Sequence, residues 1–250
     1  MSFMPSQASS SVPTPEPAAP IWDVDLSRRL QGQGTRFDLA VRFRSAAPRL
    51  VLFGPSGAGK SQTLRLIAGI ARPDRGRVVV GGRTLHDSAA GVALSPQARR
   101  LAYVFQDYAL FPHLTVRQNI AFARPTRFGG WLNPRRRGGD GDAAVARWIE
   151  AFGLQALVDL MPHQLSGGQR QRVALARGLV SEPTALLLDE PFAALDRGLR
   201  QQLREELSQL QAELALPLLL ITHDDEDVQA LADAVVELRD GRVHTGAGLT

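Results

Sequence analysis

The apolar run Leu50-Val51-Leu52-Phe53 opens directly into Gly54-Pro55-Ser56-Gly57-Ala58-Gly59-Lys60-Ser61, and Gln62-Thr63-Leu64-Arg65-Leu66-Ile67-Ala68 follows with helical spacing. A strand, a glycine loop and a helix in that order constrain the chain to a fold built around a phosphate cradle. The glycines let backbone N–H groups curl around anionic oxygens, and the helix presents its positive end to the same anion. On this pattern Lys60 reaches the β/γ-phosphates, Ser61 reaches a Mg2+ ion, and Gln62 closes the phosphate-binding stretch. Of the 29 basic residues, Lys60 is the sole lysine and the other 28 are arginines. In a chain that otherwise uses arginine throughout, this position takes a compact ammonium on a flexible stem instead of a planar fork.

A chain of 250 residues with 44% hydrophobic composition has room for one large α/β domain with a substantial core. Cysteine is absent, which removes disulfide, zinc-thiolate and Cys-nucleophile chemistry. The net charge is +4, but the arginines are scattered and aromatics make up 6%, so a nucleic-acid partner is not expected. No apolar run approaches the ~18 to 20 residues that cross a bilayer, and the N-terminus has no charged-then-apolar leader. The expectation is a soluble protein that docks on a membrane protein.

Residues 1–20 are rich in Ser, Pro and Ala and are expected to be a disordered tail. A single domain is expected over 21–245, with 246–250 as a second tail. Ile21 to Leu26 and Thr35 to Phe43 alternate apolar and polar residues, predicting two antiparallel strands around Gln31-Gly32-Gln33-Gly34. Further strands are expected at Arg77-Val80 and at Arg99-Phe105, the latter ending at Gln106. Thr115 to Ala123 is expected to be helical with Thr115 as N-cap. Arg124 to Asp142 holds five arginines and two prolines and is expected to be an exposed loop. Helical spacing resumes at Ala143 to Phe152.

Three later stretches carry chemistry. Leu165-Ser166-Gly167-Gly168-Gln169 leads into the helical run Arg170 to Arg177, a second helix start stripped of bulk and a second candidate phosphate site. One nucleotide is already cradled by the first loop, so this one is expected to face a nucleotide held by another copy. Leu186-Leu187-Leu188-Asp189-Glu190 is a buried-type strand delivering two carboxylates at its carboxyl end, where open α/β sheets bind ligands. Asp189 is placed to hold Mg2+, and Glu190 to polarise an attacking water. After a helix starting near Asp196 and stopping before Pro217, the strand Leu218-Leu219-Leu220-Ile221-Thr222 brings His223 to the same edge, as a donor beside a γ-phosphate. Val235-Leu238 and Arg242-His244 form a terminal hairpin around Asp240-Gly241.

The glycine loop, Gln106, Leu165 to Gln169, Leu186 to Pro191, Asp196 and His223 stand in the order found in ATP-binding-cassette ATPase subunits, which residues 21–245 closely resemble. The resemblance implies an α/β P-loop NTPase with a RecA-like core sheet, an N-terminal antiparallel β subdomain and an inserted helical subdomain at about 107–178. It implies ATP and Mg2+ as ligands, with Ser61, Gln106 and Asp189 toward the metal and Lys60, Gln106, Glu190 and His223 as the catalytic set. A second copy would pack head to tail, with Ser166, Gly167, Gly168 and Gln169 facing the partner's ATP and Asp196 in the dimer contact loop. Gln106 and the segment after it would relay closure to membrane permease subunits at the cytoplasmic face of the membrane, served indirectly by a solute-binding protein. The segments Gly82-Asp87, Gly91-Pro96 and Tyr103 to His113 look like molybdate importer subunits, and sulfate or other small-anion importers fit Gly91-Pro96 less well.

Two departures stand out. The family carries an aromatic that stacks on adenine upstream of the glycine loop, but the region around Leu30-Gln31-Gly32 has none, leaving Phe37 or Trp22 as substitutes. The oxyanion-binding regulatory domain common in molybdate importer subunits is expected to be missing from a chain read to Thr250. Two other classes compete: a soluble cassette ATPase acting on nucleic acid or ribosomes, and a regulatory protein that binds ATP without turnover. The first often fuses two cassettes or inserts coiled coils, neither of which occurs here, and Glu190 with His223 argues against the second.

Overall fold

The computed structural model describes residues 19–32, 35–124, 140–193 and 195–244. The expected tails at 1–20 and 246–250 fall outside these apart from residues 19 and 20, as do the turn residues 33–34 and most of the arginine-rich segment. Strands β1 (Trp22–Gly32) and β2 (Thr35–Ser45) pair antiparallel in continuous register from Trp22↔Ser45 to Gly32↔Thr35. Period-two alternation sends Trp22, Val24, Leu26, Leu39, Val41 and Phe43 inward. Asp23, Arg42 and Arg44 stay on the outer face, where Arg44 pairs with Asp23 at 2.8 Å.

After β3 (Arg49–Phe53) and α1 (Lys60–Ala68) come β4 (Arg75–Val80), β5 (Arg83–Asp87), β6 (Val92–Ala93), the one-turn α2 (Pro96–Arg99) and β7 (Leu101–Val104). Helices α3 (Val116–Phe122), α4 (Asp140–Ala151) and α5 (Gly167–Leu179) precede β8 (Ala185–Asp189) and α6 (Arg197–Leu214). Then β9 (Leu218–Thr222), α7 (Asp225–Leu231), β10 (Ala234–Arg239) and β11 (Arg242–His244) complete the described chain. The strands join in one sheet of order β6-β5-β4-β1-β2-β11-β10-β3-β9-β8-β7. Every neighbouring pair from β10 to β7 is parallel. Helices cover those strands, which is why β8 and β9 are buried at every residue and read as unbroken apolar runs.

Three buried clusters follow from this layering. One lies under α1 and the antiparallel strands, around Trp22, Leu52, Leu66 and Leu187. A second holds Val51, Leu188, Leu203, Leu207 and Leu220, so the leucine stripe of α6 is core. A third joins α3, α4 and α5 through Ile120, Trp148, Ile149 and Val173. Side-chain caps start α3 and α6: Thr115 with Gln118 closes a capping box on α3, and Asp196 accepts from the Leu199 N–H at 3.1 Å on α6.

The strand expected from Arg99 is shorter than the pattern predicts. Ser95 caps α2, and Arg100 turns left-handed at φ 56° before β7 begins. Arg99 is buried, donating to the carbonyls of Leu66 at 2.9 Å and Ile67 at 2.7 Å. It adds a donor to the C-terminal carbonyls of α1, where the Gly69 N–H already reaches Leu66, a tertiary demand that strand periodicity does not encode. Strands β5 and β6 and helix α7 are additional to the sequence expectation. α7 is short and is signalled only by the cap Asp224 and three acids in its first turn.

Candidate functional site

The glycine loop leaves β3 where that strand runs parallel to β10, Phe53 opposite Glu237. Gly54 takes φ 151° so close to β10 that a Cβ there would sit 2.1 Å from the Leu238 carbonyl oxygen. Only glycine passes this point. The turn ends at Gly59, whose left-handed backbone (φ 97°) starts α1 without a side-chain cap. The N–H groups of the first turn therefore belong to the loop's concave side, the arrangement that binds anions.

Lys60 is 4% exposed, and its ammonium donates to the carbonyls of Gly54 at 2.7 Å and Pro55 at 3.0 Å. Glu190 Oε1 lies 3.8 Å away. Burial lowers the lysine pKa, and the charges of Glu190 and Asp189 oppose that shift. The Ser61 hydroxyl donates to Asp189 Oδ1 at 2.7 Å, and the Tyr103 hydroxyl donates to Asp189 Oδ2 at 2.7 Å. Burial first and the Asp189 charge second raise the Tyr103 pKa, so this phenol stays protonated.

Residues 56–62, Gln106 and Glu190 line a cleft of about 350 Å3 together with Leu30 and Phe37. Leu30 and Phe37 are directly opposed across β1 and β2, and a Cβ on Gly59 would stand 3.2 Å from the Phe37 ring. Trp22 takes no part. It is fully buried, its indole N–H donating to the Ala47 carbonyl at 3.2 Å, so the expectation that it could stack on a nucleobase is overturned by its inward place on β1.

Glu190 is left-handed at φ 45°, its N–H donating to the Ile221 carbonyl at 3.1 Å. That backbone, worth about 1–3 kcal/mol of strain, projects the carboxylate between the cleft and a hollow lined by Thr222, His223 and Asp227. His223 Nδ1 lies 3.4 Å from Glu190 Oε2, with the imidazole side chain 56% exposed. Behind it, the Thr222 hydroxyl donates to Asp227 Oδ2 at 2.5 Å, and Arg204 Nε donates to Asp227 Oδ1 at 2.6 Å. This buried network anchors the end of β9 and with it the histidine. Sequence reading missed it because the partners lie on three separate elements.

The structure thus brings together Gly54 to Gln62, Gln106, Asp189, Glu190 and His223. Ser166 to Gln169 and Asp196 line neither the cleft nor the hollow. Ser166 instead caps α5, its hydroxyl accepting from the Gln169 N–H at 3.3 Å while Gln169 Oε1 accepts from the Ser166 N–H at 2.9 Å. Gly168 packs so tightly on Leu199 that a Cβ would meet it at 2.9 Å. At the other end of α5, Arg177 donates to the Tyr108 and Ala109 carbonyls, both at 2.8 Å. Those two residues are left-handed at φ 63° and 43°, so this arginine pins the bent segment after Gln106.

The oxygen donors suit Mg2+. Ser61 and Asp189 meet at hydrogen-bond distance, and Gln106 lines the same cleft. One carboxylate, a hydroxyl and an amide oxygen leave room for the waters and phosphate oxygens that this ion keeps.

Known proteins share this organisation. The Molybdenum import ATP-binding protein ModC of Paramagnetospirillum magneticum is 40% identical over 221 residues, 88% of this chain and 57% of its own. That of Salmonella typhi is 40% identical over 192 residues, 77% of this chain and 51% of its own. The chain therefore spans about half the length of the curated relatives it matches. Among solved structures, a dimeric ATP-binding cassette in a post-hydrolysis state bound to ADP and Pi superposes with TM-score 0.72 at 24% identity, covering 92% of this chain and 99% of that one. The cbiO1 component of an ABC transporter complex from Clostridium perfringens gives 0.71 at 28% identity, covering 90% and 87%. These likenesses establish the P-loop NTPase fold. The model of the ABC transporter family matches residues 43–193, from the end of β2 through the glycine loop and the carboxylate pair to Ala193, and the chain belongs to that family.

Proposed function

We propose that the chain is the ATP-hydrolysing subunit of an importer that takes up an oxyanion, molybdate first among them. The observation that carries the ATPase reading is the meeting of Lys60 and Ser61, at the start of helix α1, with Asp189 and Glu190, at the carboxyl end of strand β8. The choice of molybdate rests on the relatives, which are named as molybdenum import ATP-binding proteins.

In this reading the glycine-loop N–H groups bind the β-phosphate, and the Lys60 ammonium leaves its loop carbonyls for the β/γ-phosphate oxygens. Ser61, Asp189 and Gln106 hold Mg2+, which neutralises charge on the phosphates when bound. The Glu190 carboxylate orients the attacking water and accepts its proton. His223, beside Glu190, hydrogen-bonds the γ-phosphate and keeps Glu190 turned toward the water. Phe37, with Leu30, forms the apolar wall on which the adenine stacks.

The capped N-terminus of α5 would meet the ATP of a second copy, so Ser166, Gly167, Gly168 and Gln169 complete the site in a head-to-tail dimer. Asp196 would lie at that dimer contact. Closure would then depend on ATP, because those phosphate contacts exist only in the closed state. Helices α3, α4 and α5, which share one buried cluster, would belong to the helical subdomain that passes the motion from Gln106 to a permease, placing the subunit at the cytoplasmic face of the membrane. Among the described residues no helix is long and apolar enough to cross a membrane.

The test is purification with the native permease and solute-binding protein, followed by ATP hydrolysis with each oxyanion in turn. Stimulation by molybdate is expected. Stimulation by sulfate or an uncharged solute with none by molybdate would overturn the substrate, and nucleic-acid-stimulated hydrolysis would overturn the class.

A further inference from the structure

The parallel register between β7 and β8 sets Tyr103 opposite Leu187. Side chains two residues apart on a strand share a face about 6.6 Å apart, so Asp189 emerges on the side of Tyr103 at the reach of a phenol. The Tyr103 hydroxyl closes that gap, donating to Asp189 Oδ2 at 2.7 Å. Asp189 is 3% exposed, and its other oxygen, Oδ1, is the one that accepts from Ser61. The tyrosine ring is itself held, tilted against Phe105 with ring centroids 4.4 Å apart.

We propose that Tyr103 is a positioning residue that decides which oxygen of Asp189 faces the divalent ion. This inference rests on the Mg2+ reading of the site. A phenol donates one hydrogen bond and Oδ2 receives it, so the carboxylate plane is fixed and Oδ1 is left to face Ser61 and the cleft. Without the hydroxyl, Asp189 keeps one anchor and can turn Oδ2 outward or draw in water. A buried carboxylate with one oxygen unpartnered also loses part of the preorganisation that a metal ligand needs. Tyr103 touches neither the nucleotide nor the ion in this account; it acts through Asp189.

The test uses the whole chain with Mn2+ as the probe, titrated in the presence of a non-hydrolysable ATP analogue and followed by electron paramagnetic resonance of the free ion. Affinity for the analogue is measured separately in EDTA. Tyr103→Phe is expected to weaken Mn2+ binding about tenfold, the lower end of what removing a metal ligand's hydrogen-bond partner does. Affinity for the analogue without metal should stay within about twofold, since the glycine loop is untouched. Tyr103→Met, which also lacks a donor but is smaller and flexible, should reproduce the loss. Unchanged Mn2+ affinity in folded variants overturns the proposal. So does an equal loss of metal-free analogue binding, or unfolding of both variants, because the hydroxyl would then be only structural. Wild-type protein that binds the analogue but no Mn2+ overturns the metal reading itself, and is distinguished by failing before any substitution is made.

Discussion

Replacing Gly54 by alanine separates two reasons for glycine in a phosphate loop. The added Cβ would lie 2.1 Å from the Leu238 carbonyl oxygen and 3.1 Å from its carbon, against β10 backbone that cannot swing aside as a side chain could. Relief requires moving the loop away from β10 or rotating Gly54 out of φ 151°. Overpacking of this kind costs about 1–3 kcal/mol, and a side chain in a sparsely populated backbone region costs about 1–3 kcal/mol more. The sum is about 2–6 kcal/mol. For a domain of this size 1 kcal/mol lowers Tm by about 2–4 °C, so a fall of at least ~4 °C is expected. Gly57 is the internal control: its φ is 82° but a Cβ there meets nothing within 4 Å. Gly57→Ala should therefore carry the backbone term alone, about half the effect. Thermal unfolding followed by circular dichroism measures both, and a fluorescent ATP analogue reports the loop. Because the Gly54 carbonyl also holds Lys60 at 2.7 Å, Gly54→Ala should weaken binding more than its loss of stability alone explains. Equal Tm losses in the two variants, or a Gly54→Ala protein within 2 °C (on the order of 1 kcal/mol) of wild type, would refute the close-approach argument.

Two further substitutions probe the scaffold behind the site. Asp227→Ala removes the 2.6 Å partner of the buried Arg204 guanidinium, which keeps Glu226 at 2.7 Å and Asp224 at 3.2 Å, and frees the Thr222 hydroxyl; the loss should be about 1–3 kcal/mol in chemical denaturation. Asp233→Asn removes the partner of Arg49, whose guanidinium hydrogen bond at 2.6 Å holds the Asp233 pKa below its ordinary value. A depressed carboxylate pKa adds stability that is complete above the unfolded-state pKa and is lost as pH falls through the folded one. The variant should accordingly be less stable than wild type at pH 7, with the difference shrinking below about pH 4; a gap that widens in acid would contradict the assignment.

What the sequence shows of the site is what lies close together along the chain. The glycine loop, Asp189-Glu190 and Ser166 to Gln169 are short motifs whose chemistry is written into neighbouring residues, and each forms the strand end or helix start expected of it. The parallel core was legible because strands buried on both faces read as unbroken apolar runs. Contacts that depend on register between distant strands were not. Tyr103 meets Asp189 across 86 residues, and Arg204 meets Asp227 between two helices. Arg99 and Trp22 mark the same limit, since a basic residue and an aromatic look exposed and available until the layers that bury them are known. Of the two aromatics the sequence offered for the proposed nucleobase wall, Phe37 could be preferred to Trp22 only once β1 and β2 were paired.

The central claim is that Glu190 activates water for hydrolysis at a site completed by a second copy. The most direct measurement is Mg2+-dependent ATP hydrolysis by wild type and Glu190→Gln, with oligomeric state in ATP read by light scattering. The account predicts near wild-type ATP affinity for the variant, turnover lowered by about 100-fold or more as for loss of a general base, and accumulation of an ATP-bound dimer. A variant that stays monomeric in ATP with wild-type turnover would contradict it.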